Sequence, residues 1–479
     1  MAFWNRTKSF EAATSRSTHS ALKPTLSWVH LIGLGVGGIV GTGILTLTGV
    51  GAGMAGPAVI LSFAIAGVVC AAAALAYAEM ATMIPMAGSA YTYTYVALGE
   101  LLAWIVGWTL ILEYTVVCSA VAVGWSGYAA GVIRSAGWPV PDALLVGPFD
   151  PAISGGLINL PAVVISLAVA GLLAIGSRES ATVNLLLVAV KLVALAIFVA
   201  VALPAFDAGN FEPFAPFGYG STEIAPDGAK RGVMAAAAII FFAFYGFDAV
   251  STAAEETKNP KRDLKIGIIG SMVLCTLLYM VVAAAALGGS HYEQLAKSTE
   301  PLAMVVRSLN HPVAATVIGS AAVIALPTVI MAFMYGQSRI FFVMARDGLL
   351  PQRLSVVNPR SGTPVLMTFI TSIIVALIAA FVPLQDIASV ANAGTLIAFI
   401  AVAVCMMVTR KTHPQPPRMF GPTTTWVIGI VAVVGCVYLF SSLQRKTMLA
   451  ALIWNVVGLA IYLLWARRKS LLEPAASTT

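Results

Sequence analysis

Three ionisable side chains, Glu113, Lys191 and Asp248, lie inside long apolar runs of this chain. A charge near the centre of a bilayer costs about 2.5–3.5 kcal/mol even on the lenient insertion scale. Each of the three must therefore be partnered, protonated or turned toward a polar cavity. Lys191 is the deepest. Its run extends from about Thr182 to Pro204, which leaves it roughly 14 Å from one end and 20 Å from the other at helical rise, too far to snorkel. The chemistry open to such an ammonium is loading and releasing a proton, or serving as a fixed strut. Glu113 either faces the side-chain end of a ligand, where it would favour a cation, or is a protonated structural group, or joins a network with Lys191. Asp248 is placed to satisfy free amides at a helix start.

Two glycine-containing interruptions supply the second kind of chemistry. Residues 35–44 read GVGGIVGTGI, five glycines inside an apolar run, and residues 241–249 read FFAFYGFDA. In hydrocarbon a helix is broken only where protein buries the break or a polar cavity receives it. Gly33, Gly37 and Gly41 also fit a small-residue packing stripe, but the second interruption favours a paired function. Amides opening a resumed helix attract an anion, and released carbonyls attract a cation. The complementary ligand is a zwitterion such as an α-amino acid. No set of nucleophile, base and orienting group stands at one depth, which argues against an enzyme. The five histidines lie at membrane edges or outside the spans, and the five cysteines are scattered singly, so neither a metal site nor a cofactor is expected.

The elements that must position these groups follow from composition. Of 479 residues, 59% are hydrophobic and 10% charged, and the mean hydropathy is +0.91, far from soluble domains. A spanning helix needs about 20 apolar residues, and about twelve runs qualify. They begin near Trp28, Pro57, Leu101, Leu160, Thr182, Gly232, Ile266, Pro312, Val365, Ile387, Trp426 and Met448, and are called helices one to twelve below. With both termini cytoplasmic, nineteen of the 27 Lys and Arg residues fall inside, seven fall outside, and Lys191 is left over, as the positive-inside rule requires. The net charge of +7 then reflects topology and contact with membrane lipid, not a nucleic-acid partner. The interrupted helices one and six stand five apart, the spacing of two inverted repeats that hold a ligand between paired breaks.

GVGGIVGTGI followed by AGPAV, EMATMIPMAGSAYTYTY, FYGFDAVSTAAEETKNPKRDLKIGI and YGQSRIFFVMARDGLLP together resemble the amino acid-polyamine-organocation superfamily. Within it they are most similar to bacterial members of the cationic amino acid transporter family. The resemblance runs from about Leu26 to Arg410. It implies an all-α polytopic membrane protein with about 12 transmembrane helices, built as a LeuT-like 5+5 inverted repeat with discontinuous helices one and six. The implied division is a cytoplasmic segment 1–26, a ten-helix transport core 27–408, helices eleven and twelve with their preceding loop 409–466, and a cytoplasmic tail 467–479. The implied location is the bacterial inner membrane.

Carried over by position, Gly41, Thr42 and Gly43, with Ile39 and Val40, resemble the carboxylate-binding turn. Phe242, Ala243 and Tyr245 match the stretch that takes the amino group, Phe242 being similar to the aromatic gate. Lys191 is similar to the helix-five lysine of proton-coupled members, whose ammonium reaches helix one. Glu113 and Phe333 are assigned to the side-chain pocket, where Glu113 would favour lysine or arginine, and Phe333 small neutral amino acids such as alanine. The expected activity is proton-coupled symport of L-amino acids by alternating access. The alternatives are an exchanger with Lys191 structural and a non-enzymatic substrate sensor. Oligomeric state and any small membrane subunit stay open.

Toward the cytoplasmic side, EETKNPKRD is read as a solvated loop, or as an inner gate pairing Glu255 or Glu256 with an arginine from another segment. Glu79 is a structural or gate residue. Residues 86–100 are expected as a short surface helix whose tyrosines suit the headgroup region.

Overall fold

The computed structural model describes residues 6–8, 24–138, 141–149, 155–175, 177–221, 223–224, 230–244, 246–298, 300–358, 363–413 and 418–471. Each of the twelve apolar runs forms a helix. Among the described residues, ten helical stretches are long and apolar enough to cross a membrane, and Leu160–Ile175 and Val365–Phe381 are shorter apolar helices. The chain is thus a polytopic, nearly all-helical membrane protein. Among the described residues, the strands are confined to a small antiparallel pair, Glu223–Ile224 with Lys230–Arg231.

Local sequence explains the interruptions. Helix one runs Trp28–Ile39, leaves helical geometry at Val40 and Gly41, and resumes as Thr42–Leu45 and Leu47–Ala55. Helix six runs Val233–Ile240, tightens to a 3-10 turn at Phe241–Ala243, and resumes at Asp248–Thr252. Gly246 lies between with φ of +123°, a region costly for any residue with a Cβ. Helix eight is divided into Pro312–Ala325 and Pro327–Arg346, because Pro327 lacks the amide that would continue the ladder.

Helix six is the innermost, 94% buried, whereas helices five, eleven and twelve, at 33%, 33% and 22%, are the least covered by protein. Helix one packs against helices five, seven and eight, helix two against six and seven, and helix three against eight and ten. Helix five packs on the first part of helix eight, and helix four on helix nine. The longest connections dock onto this bundle. Asn159 donates its amide to the Ala380 carbonyl (3.0 Å), and Ala58 donates to Phe214 (2.9 Å).

One expectation is corrected. Residues Ser89–Ala97 form the short helix, but Tyr91, Tyr93 and Tyr95 are buried, not placed among headgroups. Tyr91 donates to Asp347 (3.0 Å) and Tyr95 to Glu100 (3.0 Å). Burial first, and then the Asp347 carboxylate, hold the Tyr91 phenol well above its usual range. It therefore remains a donor at every working pH.

Candidate functional site

A broken helix releases carbonyls that must find donors, and three neighbouring helices supply them to helix one. From helix five, the Lys191 ammonium donates to the Gly37 carbonyl at 3.0 Å and to the Val40 carbonyl. Tyr279 of helix seven donates to Ile39 (2.6 Å), and the Thr328 hydroxyl of helix eight lies 3.2 Å from the Gly37 carbonyl while sharing its proton with Ala325 of its own helix at 2.8 Å. Lys191 is 3% exposed, so its charge is met by carbonyl dipoles rather than by solvent. Two turns earlier on helix five, Asn184 donates to the Gly33 carbonyl (2.8 Å). Helix ten treats helix six in the same way, since Asn392 donates to the Ala238 carbonyl at 2.8 Å.

The two breaks touch each other. A Cβ on Gly246 would lie 2.7 Å from the Gly38 carbonyl carbon, and one on Gly43 would collide with the Ala243 Cα. The glycines are therefore required by close backbone approach. Across this contact Thr42, Gly43 and Ile44 open the resumed helix, where the first amides have no carbonyl one turn earlier, and Gly43 lies against the 3-10 turn at Phe241–Ala243. Asp248 meets the expectation of an amide acceptor, taking the Gly246 N–H at 3.1 Å, and also accepts the Tyr114 hydroxyl.

Between the breaks is a cavity of about 10 Å³, lined by Gly38, Ile39, Gly41, Thr42, Gly43, Val117, Val121, Phe242, Val329 and Phe333. That volume admits about one water. Seating an amino acid therefore requires a lining side chain to shift. Phe242 is 5% exposed and stands at the wall formed by the helix-six break. Phe333 packs edge-on against Tyr114 with ring centroids 5.1 Å apart.

Most of the residues expected from sequence meet here: Ile39, Gly41, Thr42, Gly43, Phe242 and Phe333 line one cavity, Ala243 touches Gly43, and Val40 carries the carbonyl that Lys191 holds. Tyr245 lies outside the described residues. Glu113 is elsewhere. It is fully buried beside Gly394 of helix ten, away from the cavity lining, and both its carboxyl oxygens lack a hydrogen-bond partner. The Thr395 hydroxyl is committed to the Ala391 carbonyl at 3.1 Å. The proposed network between Glu113 and Lys191 is not formed, because the Lys191 ammonium is turned to helix one. Sequence reasoning missed Val117, Val121 and Val329, whose types carry no chemical signal. It also missed Tyr279, Thr328 and Asn392, which could have been noticed as polar residues inside apolar runs.

At the other end of the bundle both glutamates of EETKNPKRD are paired with arginines from a distant segment. Glu256 and Arg339 form a fully buried ion pair, Nε to Oε2 3.2 Å, with the guanidinium 3.6 Å from the Tyr335 ring centre. Tyr335 also donates its hydroxyl to Glu256. Glu255 takes a two-pronged contact from Arg346 at 3.1 and 3.0 Å and accepts the Ala87 amide at 3.1 Å. Both glutamates are thus paired with arginines of helix eight. Glu79 is buried against Arg418 (3.3 Å), tying helix two to the loop before helix eleven.

The family model for amino acid permeases matches residues 26–465. The branched-chain amino acid permease of Bacillus subtilis is 43% identical over 462 residues, 96% of this chain and 97% of that one. The methylthioribose transporter of the same organism is 39% identical over 469 residues, covering 98% and 99%. Cationic amino acid transporter 3 of Arabidopsis thaliana is 36% identical over 415 residues, covering 85% of this chain and 66% of the relative. These relatives are transporters rather than enzymes. A matched region that spans both helix breaks, together with relatives similar over nearly their whole length, shows that this chain belongs to the amino acid permease family of the amino acid-polyamine-organocation superfamily.

Proposed function

We propose that this chain is a proton-coupled importer of neutral aliphatic L-amino acids, working by alternating access in a bacterial inner membrane with both termini cytoplasmic. The observation that carries the reading is the Lys191 ammonium on the Gly37 and Val40 carbonyls, next in the chain to Gly41, Thr42 and Gly43, which line the cavity. The substrate carboxylate takes those amides, and its ammonium takes the carbonyls of Phe242–Ala243, the arrangement of poles a zwitterion needs. Phe242 closes over the bound substrate. Loss of the Lys191 proton removes the clamp on helix one and lets its first half move, so that proton and substrate release are linked.

The twelve-helix, 5+5 reading has support in the packing. Exchanging each helix for its counterpart five further on converts the contact of three with ten into eight with five, and of two with six into seven with one, and both members of each pair occur. Asn392 on helix ten repeats toward helix six what Asn184 and Lys191 do toward helix one.

The lining favours a neutral side chain. Val117, Val121, Val329 and Phe333 offer no charge, and a buried cationic side chain without a counter-charge is costly. The cationic option is therefore set aside, in line with the similarity to a branched-chain amino acid permease. Methylthioribose, named for another relative, has no carboxylate for the Gly41–Gly43 turn. The test is uptake of labelled alanine, valine, leucine, arginine and methylthioribose into liposomes with and without an inward proton gradient. Gradient-driven accumulation of the aliphatic amino acids is expected. Uptake only into vesicles preloaded with amino acid makes the chain an exchanger, and accumulation of arginine or methylthioribose alone overturns the substrate reading.

A further inference from the structure

Helix twelve ends unusually. Its regular part, Arg445–Ile461, passes into a π-helical turn at Tyr462–Ala466 and then into Arg467–Lys469. A wide turn of this kind inserts a residue without ending the helix and is frequent at functional positions. Here it keeps Tyr462 buried, with its hydroxyl donating to Glu100 at 2.9 Å, while Leu464 and Trp465 are 72% and 37% exposed. Facing this end is the turn that follows helix eight. Between the two lies an open groove of about 610 Å³, walled by Leu350 and Pro351 on one side and Trp465 and Leu471 on the other, with Arg468 and Lys469 beside it.

Among the described residues the charges of this groove are not balanced by protein. The nearby acidic groups are already engaged. Asp347 is held by Lys8 (2.7 Å) and Tyr91 (3.0 Å), and Glu100 by Tyr95, Tyr462 and Ser470 at 3.0, 2.9 and 2.6 Å. Among the described residues neither Arg468 nor Lys469 forms an ion pair or hydrogen bond, and both are exposed. An arginine fork and an ammonium at adjacent positions suit a phosphodiester. A second feature points to lipid rather than to a free anion. Leu452, Val456, Ala460 and Leu464 are exposed at four-residue spacing. They form an apolar stripe that ends one turn before Arg468, beside Trp465, an aromatic suited to the headgroup level.

We propose that this groove binds the phosphodiester head of an anionic phospholipid, with Arg468 and Lys469 holding the phosphate and the acyl chains following the stripe from Leu464. The opposite wall begins at Gly348, directly after Arg346 and Asp347, so the lipid braces the gate-bearing end of helix eight against helix twelve.

The experiment uses the full chain in vesicles of equal parts phosphatidylcholine and phosphatidylglycerol, with bromine on the acyl chains of one or the other lipid. The emission of Trp465, taken as the difference between the native chain and Trp465→Phe, reports which lipid is adjacent. Brominated phosphatidylglycerol is expected to quench it more strongly than brominated phosphatidylcholine. Arg468→Gln and Lys469→Gln should each weaken that preference about fivefold, the effect of one interfacial cation, while melting at the native temperature. Equal quenching by the two lipids overturns the proposal, as does a preference that survives the double substitution. Loss of the preference in millimolar glycerol 3-phosphate would make the ligand a free phosphate. A preference seen only in a chain ending at Leu471 would make residues 472–479 the occupant.

Discussion

The Lys191 ammonium lies 3.0 Å from the Gly37 carbonyl and also holds that of Val40, so one side chain of helix five spans the whole interruption of helix one. A strut and a coupling group share this geometry and differ in their response to a gradient. Lys191→Ala is expected to reduce proton-driven accumulation of alanine at least about tenfold, by analogy with other intramembrane ionisable groups, while leaving counterflow exchange measurable. Accumulation at the native level in the variant would assign Lys191 a structural role.

Gly43 offers a test of the paired breaks that does not involve charge. A Cβ there meets the Ala243 backbone, whereas one at Gly127 meets nothing within 4 Å. Gly43→Ala should force the breaks apart and weaken alanine binding, measured by calorimetry, by about tenfold or more, since small misplacements at a positioned site are costly. Gly127→Ala serves as the control and should bind as the native chain does.

Phe333 is 1% exposed and faces the cavity beside Val329. Phe333→Ala should lengthen the pocket and raise uptake of leucine relative to alanine by roughly tenfold, the scale on which one or two methylenes are discriminated. Competition uptake in liposomes reads this ratio directly, and an unchanged ratio would remove Phe333 from the side-chain pocket.

The buried pair of Glu256 and Arg339 should be far more sensitive than a surface one. Removing one member of a buried pair costs about 3–5 kcal/mol because the other charge is stranded, so Arg339→Gln should lower the melting temperature in detergent markedly. Lys446 and Asp386 are 63% and 45% exposed, and Lys446→Gln should cost about 1 kcal/mol or less.

The half-buried pair of Glu255 and Arg346 tests the gate itself. Glu255→Arg alone should open the inner side and raise labelling of a cysteine introduced at Ala87, whose amide Glu255 accepts. Adding Arg346→Glu should restore protection if attraction between the two positions, rather than either side chain alone, holds the gate shut.

The membrane class, the twelve apolar helices and the two interruptions are legible in the residues alone, because length and hydropathy act locally on each segment. Lys191 stands out in the same way, since a lone ammonium midway along an apolar run has few permitted explanations. Which donors complete the breaks depends on how distant helices pack, as Tyr279, Thr328 and Asn392 act on residues more than 100 positions away. The same holds for the ion pairs of EETKNPKRD. The acidic pair was visible in EETKNPKRD, but its partners Arg339 and Arg346 sit some 80–90 residues further on. Glu113 marks the sharpest limit, because its depth is readable from a single helix, while the direction it faces depends on how helix three is rotated against helix ten. The buried tyrosines of Ser89–Ala97 make the same point: their amphipathic rings fit a headgroup or a protein interior equally well, and Asp347 and Glu100 supply the partners that draw them inward.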